Sequence, residues 1–97
     1  MEIKKLQETA ELMASSDYKE RFMAEYYQVK IRVEKLENFI AKIRAISHCE
    51  KMERERELDK LINHDCDIII LEDQLETMQK YLFLLKQRAV IENINLF

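Results

Sequence analysis

Two stretches of the chain carry the same apolar repeat, and this repeat limits the possible folds more than any other feature. Apolar residues recur at steps of three and four, the spacing that lines up side chains on one face of an α-helix. Two such seams of matched length predict two helices packed as an antiparallel hairpin. The first seam is Phe22, Tyr26, Val29, Val33, Leu36, Ile40 and Ile43, and the second is Ile68, Leu71, Leu75, Met78, Leu82, Leu85 and Ala89.

The fold class predicted for the chain is all-α, because the 97 residues include no glycine and no proline. These two residues are the commonest breaks in regular structure, and strong helix formers dominate instead. No stretch shows the alternating pattern of a strand. The prediction is a single domain, 1–97, with a short helix at about 2–14 and long helices at about 17–47 and 65–92. Ser16 or Asp17 is expected to cap the first long helix, and Asn63 or Asp65 the second.

The segment between the two long helices is rich in charge and has only a thin apolar stripe. Its composition favours a connecting helix at about 50–62. The pattern leaves open whether this helix is separate or prolongs the first long helix.

Some apolar residues remain after one hairpin is packed. Tyr27 and Ile31 project from the side of the first long helix opposite its seam, and Leu84 and Ile91 lie off the seam of the second. Such residues are expected to pack against the short first helix or against another subunit. Because a two-helix unit buries little apolar area by itself, we predict a homo-oligomeric helical assembly with these four residues at the interface.

The charge balance argues against several classes of partner. The formal net charge is -3 and 36% of residues are charged, which is typical of a mixed-sign surface and gives no general attraction to double-stranded nucleic acid. The longest apolar run is far shorter than the ~20 residues that span a bilayer, so no membrane partner is expected. The start of the sequence lacks the apolar core of a secretory signal, and a cytosolic protein with reduced thiols is expected.

Metal and catalytic sites have weak support. His48, Cys49, His64 and Cys66 flank the connecting segment, where the chain could bring them together. Neighbouring residues on a helix point in different directions, however, and the spacing matches no familiar zinc motif. Ordinary thiols and histidines are the favoured interpretation. A nucleophilic Cys49 would need a base, an orienting group and a pocket, so we predict neither an enzyme nor a cofactor.

Cations and phenol rings alternate near the start of the first long helix. Arginine and lysine bind phosphate groups, and tyrosine rings stack on nucleotide bases, so the mixture is suited to a phosphorylated ligand. The alternative is a solvated helix face with rings at a subunit contact, and spacing alone favours that alternative. The candidate ligand-binding residues are Tyr18, Lys19, Arg21, Tyr26, Lys30 and Arg32.

The chain also resembles a known family. The run SSDYKERFMAEYYQVKIRVEKLENFI, followed later by LEDQLETMQKYLFLLKQRAVIENINL, is similar to small helical proteins of tailed bacteriophages related to a crAss-like phage product. The two blocks cover more than half of the chain. The chain departs from that family in the connector, where relatives carry a loop with glycine and proline.

The resemblance implies a phage origin, a location in the cytoplasm of the infected bacterium and a helical hairpin that forms oligomers. By analogy of architecture it suggests an immune-evasion protein, or sponge, that sequesters a nucleotide-type host defence signal at subunit interfaces. The six candidate residues would then form the pocket. Two other functions remain open: a protein-binding inhibitor of a host defence nuclease or effector, and a structural coiled-coil module.

Overall fold

The structure is a computed structural model that describes residues 5–47 and 67–96. A 3₁₀ turn, Leu6–Thr9, leads into a short helix, α1 (Ala10–Met13). The two long helices are α2 (Tyr18–Ser47) and α3 (Ile68–Ile91). Because the described ranges contain helices and no strand, the all-α prediction is confirmed there. The predicted connecting helix at 50–62 lies outside these ranges. None of the helices within them is both long and apolar enough to cross a bilayer.

The two long helices run antiparallel. At one end, Tyr18 at the start of α2 is hydrogen-bonded to Glu92, just after the end of α3. At the other end, Arg44 near the end of α2 pairs with Glu72 near the start of α3. The buried seam residues of this pair are Phe22, Tyr26, Val33, Ile40 and Ile43 from α2 and Leu85 and Ala89 from α3.

Aspartate side chains precede both long helices and cap them. The Asp17 carboxylate accepts a hydrogen bond from the backbone amide of Lys19 at 3.0 Å. The Asp67 carboxylate accepts one from Ile69, also at 3.0 Å. Each bond satisfies one of the amides that a helix leaves unpaired in its first turn. Asp17 is one of the two caps expected for α2, whereas α3 uses Asp67 rather than Asn63 or Asp65.

The end of α3 turns back on itself at Asn93. Asn93 has a φ of 55°, the left-handed conformation in which a helix commonly terminates. The next amide, Ile94 N–H, donates to the carbonyl of Ala89 at 2.8 Å, completing a Schellman motif. Glycine usually occupies this position, but the chain has none. Among the other residues, asparagine is one of those that tolerate the left-handed conformation best. The turn directs the tail onto the core, where Ile94 and Leu96 are buried.

The structure packs Tyr27 and Ile31 within the chain, the first of the two alternatives expected for them, and not at the predicted subunit interface. Both side chains are buried inside the chain itself and belong to its central apolar cluster. Leu6 and Leu12 from the N-terminal segment pack against that cluster, and Leu96 from the tail is part of it. Two short segments, the N-terminal segment and the tail, therefore cover the apolar face of α2 that lies opposite its seam. Tyr27 and Ile31 are not available as a subunit contact.

Candidate functional site

The six predicted ligand-binding residues lie on two sides of α2. At about 100° per residue, Arg21 and Arg32 share one side of the helix, and Lys19 and Lys30 share the roughly opposite side. Tyr18 lies between the two pairs at the start of the helix. The structure thus separates the arginines from the lysines, and one α2 cannot present all four cations to a single ligand.

A polar cluster forms where α2 begins and α3 ends. The Tyr18 hydroxyl donates a hydrogen bond to the Glu92 carboxylate at 3.0 Å and accepts one from the Arg88 guanidinium. Arg88 also donates from Nε to Glu92 at 3.0 Å. Arg88 and Glu92 are one helical turn apart, so α3 pre-forms their pair and the antiparallel packing adds Tyr18. We call Tyr18, Phe22, Arg88 and Glu92 the helix-end cluster.

The Arg88 guanidinium of the helix-end cluster packs against an aromatic ring. The Arg88 guanidinium carbon lies 4.9 Å from the centroid of the Phe22 ring, within the range of a cation–π contact. The Tyr18 and Phe22 rings are tilted by 53° with centroids 6.4 Å apart. Phe22 is buried, whereas Tyr18 and Arg88 are exposed. The cluster consequently offers solvent a fixed guanidinium beside a phenol ring.

The electrostatics of the cluster fix its protonation states. The pKa of Tyr18 is raised above its usual value, first by its hydrogen bond to Glu92 and then by burial, with the Arg88 charge opposing the shift. The pKa of Arg88 is raised as well, mainly by its bond to Glu92. At neutral pH the Tyr18 phenol is therefore neutral and the Arg88 guanidinium is charged, with the Glu92 carboxylate paired to it. The phenol proton is donated to Glu92, whereas the Arg88 guanidinium has five N–H donors, more than its bonds to Glu92 and Tyr18 use, and such donors suit phosphate oxygens.

Arg21 lies beside a pocket between the N-terminal segment and α2. Its guanidinium donates to the backbone carbonyl of Ser15 at 2.9 Å, which ties the linker between α1 and α2 to the helix. The pocket measures about 350 Å³ and is lined by Met13, Arg21, Glu25 and Gln28. The Gln28 amide donates to Met13 Sδ and to Thr9, so the pocket wall is held in place.

Tyr26 and Lys30 are not part of the helix-end cluster. Tyr26 is only 1% exposed and makes an edge-to-face contact with Tyr27 at 5.1 Å, so its ring is unavailable for stacking on a ligand. Its burial places it in the seam and corrects its assignment to the pocket. The Lys30 ammonium lies 5.9 Å from the centroid of the Tyr27 ring. It sits on the side of α2 that Arg21 does not share.

Sequence reasoning missed Arg88 and Glu92. Their i, i+4 spacing is a recognisable pair on a helix surface. An antiparallel hairpin also brings the end of its second helix to the start of its first, where Tyr18 lies. Combining the two signals would have found the cluster.

The residues considered and disfavoured as metal ligands lie outside the described residues: His48, Cys49, His64 and Cys66. Within 5–47 and 67–96, no group of three or more histidine, cysteine, aspartate or glutamate residues is arranged to hold a metal ion. The predicted interface residues Leu84 and Ile91 are exposed on α3.

Residues 16–91 match the family model described as Sequestin. This range includes α2, α3 and most of the helix-end cluster. The chain belongs to the Sequestin family. The name denotes a sequestering protein, in keeping with the expectation of a chain that binds and holds a partner or small molecule. No curated protein and no solved structure shows significant similarity to the chain. The relation of the chain to a crAss-like phage product stays a prediction.

Proposed function

We propose that the chain is a phage-encoded, non-enzymatic protein that sequesters a nucleotide-type host defence signal in the cytoplasm of the infected bacterium. The observation that carries the proposal is the Arg88 guanidinium held beside the exposed Tyr18 ring at the end of the hairpin. Guanidinium groups bind phosphate through paired hydrogen bonds, and aromatic rings stack on bases. A nucleotide is the common small metabolite that presents both groups.

The ligand-binding residues divide between subunits in this proposal. Arg21 and Arg32 point away from Lys19 and Lys30 on the same helix, so a site that uses both pairs must take one pair from each of two chains. Such a site would lie at a subunit interface, with Tyr18, Arg21 and Arg88 from one copy. Tight binding of this kind removes a signal by stoichiometry and requires no catalytic group.

Calorimetric titration tests the proposal. The purified protein is titrated with a panel of cyclic and ADP-ribose-type nucleotides. At least one is expected to bind, and Arg88→Ala is expected to weaken that binding by about tenfold or more, the loss typical of a charged hydrogen bond to a ligand. Arg88→Lys keeps the charge but not the paired donors, so its nucleotide affinity should lie between that of the unaltered chain and that of Arg88→Ala.

Arg44→Ala is the matched control, because Arg44 also pairs with a glutamate, Glu72, but at the far end of the hairpin. Its affinity should equal that of the unaltered chain. Absence of heat for every nucleotide in the panel would count against the proposal, as would equal losses in the two arginine variants.

A second candidate function is inhibition of a host defence nuclease or effector by direct binding. Exposed apolar side chains on α3, Leu84 among them, favour it, since such residues commonly mark protein contacts. Pull-down from host lysate separates the two functions. A stable host protein supports the inhibitor, and a co-purified ultraviolet-absorbing small molecule supports the sequestering protein. A structural coiled-coil module would yield neither.

A further inference from the structure

Four large apolar side chains are exposed together on the outer side of α3, near its C-terminal end. Phe83 is 59% exposed, Leu84 48%, Val90 79% and Ile91 80%. At about 100° per residue they flank Gln87, with Phe83 and Val90 on one side of it and Leu84 and Ile91 on the other. We call these four residues and Gln87 the outer patch.

The outer patch is separate from the core that holds the hairpin. Leu85 and Ala89, which pack against α2, are buried and project from the roughly opposite side of α3. The patch is also separate from the helix-end cluster, since Arg88 points toward Tyr18 and α2. Nothing within the described ranges of the chain covers it.

We propose that the outer patch binds the outer patch of a second copy of this chain, with the two α3 helices antiparallel and a two-fold axis at Gln87. The proposal goes beyond the proposed function, because the outer patch lies on the side of α3 that faces away from α2 and its candidate ligand-binding residues. A two-fold contact uses the same surface on both copies, so that surface must be complementary to itself.

The spacing of the patch meets that requirement. Phe83 and Leu84 precede Gln87 by four and three residues, and Val90 and Ile91 follow it by three and four. In an antiparallel pair centred on Gln87, Leu84 therefore meets Ile91 of the second copy, and Phe83 meets Val90. Every large apolar residue of the patch gains an apolar partner, and the residue on the axis itself, Gln87, is uncharged.

The surface relief of the patch is complementary as well. A shallow, open depression is lined by Gln87, Val90 and Ile91. Phe83, the bulkiest side chain of the patch, stands one helical turn before it. In the antiparallel pair the Phe83 ring of each copy lies over the depression of the other. This is the knob-and-hole arrangement by which helices pack side by side.

Area and charge agree with a second copy as the occupant. At about 200 Å² for each large side chain, the four residues expose on the order of 500 Å² of apolar surface, at the upper end for monomeric proteins. A stable interface buries roughly 800 Å² on each partner, so the patch supplies its apolar centre. Lys80, one turn further back, then lies near the C-terminal end of α3 of the second copy, whose dipole favours a cation.

Sedimentation velocity over a range of concentrations tests the contact. The unaltered chain is expected to be dimeric or larger, and Leu84→Glu and Val90→Glu are each expected to weaken association by about tenfold or more, because each buries an unpaired charge against apolar groups. Ile69→Glu is the matched control. Ile69 is an equally exposed apolar residue of α3, but it lies near the other end of the helix and should not affect association.

A cross-linking experiment tests the geometry and does not rely on disruptive variants. Gln87→Cys should form a disulfide between position 87 of two copies under mild oxidation, since the two-fold axis places these positions opposite each other. Glu76→Cys, on the same outer side, should not, because its two copies would lie about 33 Å apart at 1.5 Å per residue. Mass spectrometry of the linked peptides separates these products from disulfides of Cys49 and Cys66.

Three results would overturn the inference: a monomer at every concentration, association unchanged in both glutamate variants, or cross-linking at position 76 but not at 87. Capture of a host protein by the patch in place of a second copy would also overturn it. Failure here is distinguishable from failure of the proposed function. Nucleotide heat from a monomer would keep the function and remove this contact, and a dimer without nucleotide heat would do the reverse.

Discussion

The Tyr27 hydroxyl donates a hydrogen bond to the backbone carbonyl of Leu96, 69 residues further along the chain. This bond ties the N-terminal half of α2 to the tail that follows α3. Tyr27 is 2% exposed, and Leu96 is buried beside it in the central cluster. A buried carbonyl loses water on folding, so the Tyr27 hydroxyl satisfies an acceptor that would otherwise be costly.

Replacing Tyr27 by phenylalanine should therefore destabilise the protein without emptying the core. Tyr27→Phe keeps the ring and removes the donor, and we expect a loss of about 1–2 kcal/mol in the free energy of unfolding. Urea denaturation at fixed protein concentration measures it. Tyr18→Phe is the control, because that hydroxyl is exposed, and its effect should stay within about 0.5 kcal/mol. Equal effects of the two substitutions would argue against a role for the tail contact.

Asn93 gives a second prediction, since its φ of 55° is unfavourable for most residues. Asn93→Gly should leave stability unchanged or raise it by a few tenths of a kcal/mol, whereas Asn93→Val should cost about 1–2 kcal/mol. Thermal denaturation of both variants measures the difference. A valine at position 93 that costs no more than a glycine there would contradict the Schellman assignment.

The hairpin could be predicted because its signal is periodic and long. Phe22 and Tyr26 recur with the other seam residues over many helical turns, and the chain has no glycine or proline to interrupt them. The structure accordingly buries both, and α2 spans Tyr18–Ser47. A hydrophobic seam of this length is decided by local geometry, which the sequence displays directly.

The remaining features depend on which distant segments meet. Nothing in the local pattern around Tyr27 says that Leu96 covers it, so the sequence left Tyr27 available to another subunit. Arg88 was missed for the same reason: its partner Tyr18 is 70 residues away. The pairing of the two seams gives the direction of α3 but not the path of the segments before and after the hairpin.

A third prediction concerns the docking of the N-terminal segment. The buried Thr9 hydroxyl donates to the Leu6 carbonyl at 2.6 Å and accepts from the Gln28 amide at 3.0 Å. Thr9→Val preserves the shape and removes both bonds, so we expect a loss of about 1 kcal/mol or more and faster amide exchange in residues 6–13. Hydrogen exchange followed by mass spectrometry reads out that segment.

Thr77→Val is the control for Thr9→Val. The Thr77 hydroxyl also donates to a backbone carbonyl, that of Asp73 at 3.0 Å, but it is exposed on α3. Its removal should change neither stability nor exchange near the N-terminus appreciably. If exchange in residues 6–13 is unchanged by Thr9→Val, Thr9 does not hold the segment on α2.

The last prediction is that the protein loses stability in alkali through its tyrosines. The pKa of Tyr26 is raised, mainly by burial, and that of Tyr81 is raised, mainly by its hydrogen bond to Glu25. The pKa of Tyr18 is raised mainly by its bond to Glu92. Since an unfolded tyrosine titrates near 10, the folded state binds more protons than the unfolded state above that pH. The stabilisation is complete below pH ~10 and is lost as pH rises through the folded pKa values.

Ultraviolet titration of tyrosinate measures these values in the folded and the urea-unfolded chain, and the folded midpoint should be the higher. Glu92→Gln removes the charge that disfavours the Tyr18 phenolate, so it should lower the pKa of Tyr18 toward its usual value. Glu72→Gln, which alters the carboxylate at the opposite end of the hairpin, should leave the curve unchanged. A folded midpoint at or below that of the unfolded chain would contradict the helix-end cluster, because a phenol that donates to a carboxylate resists losing its proton.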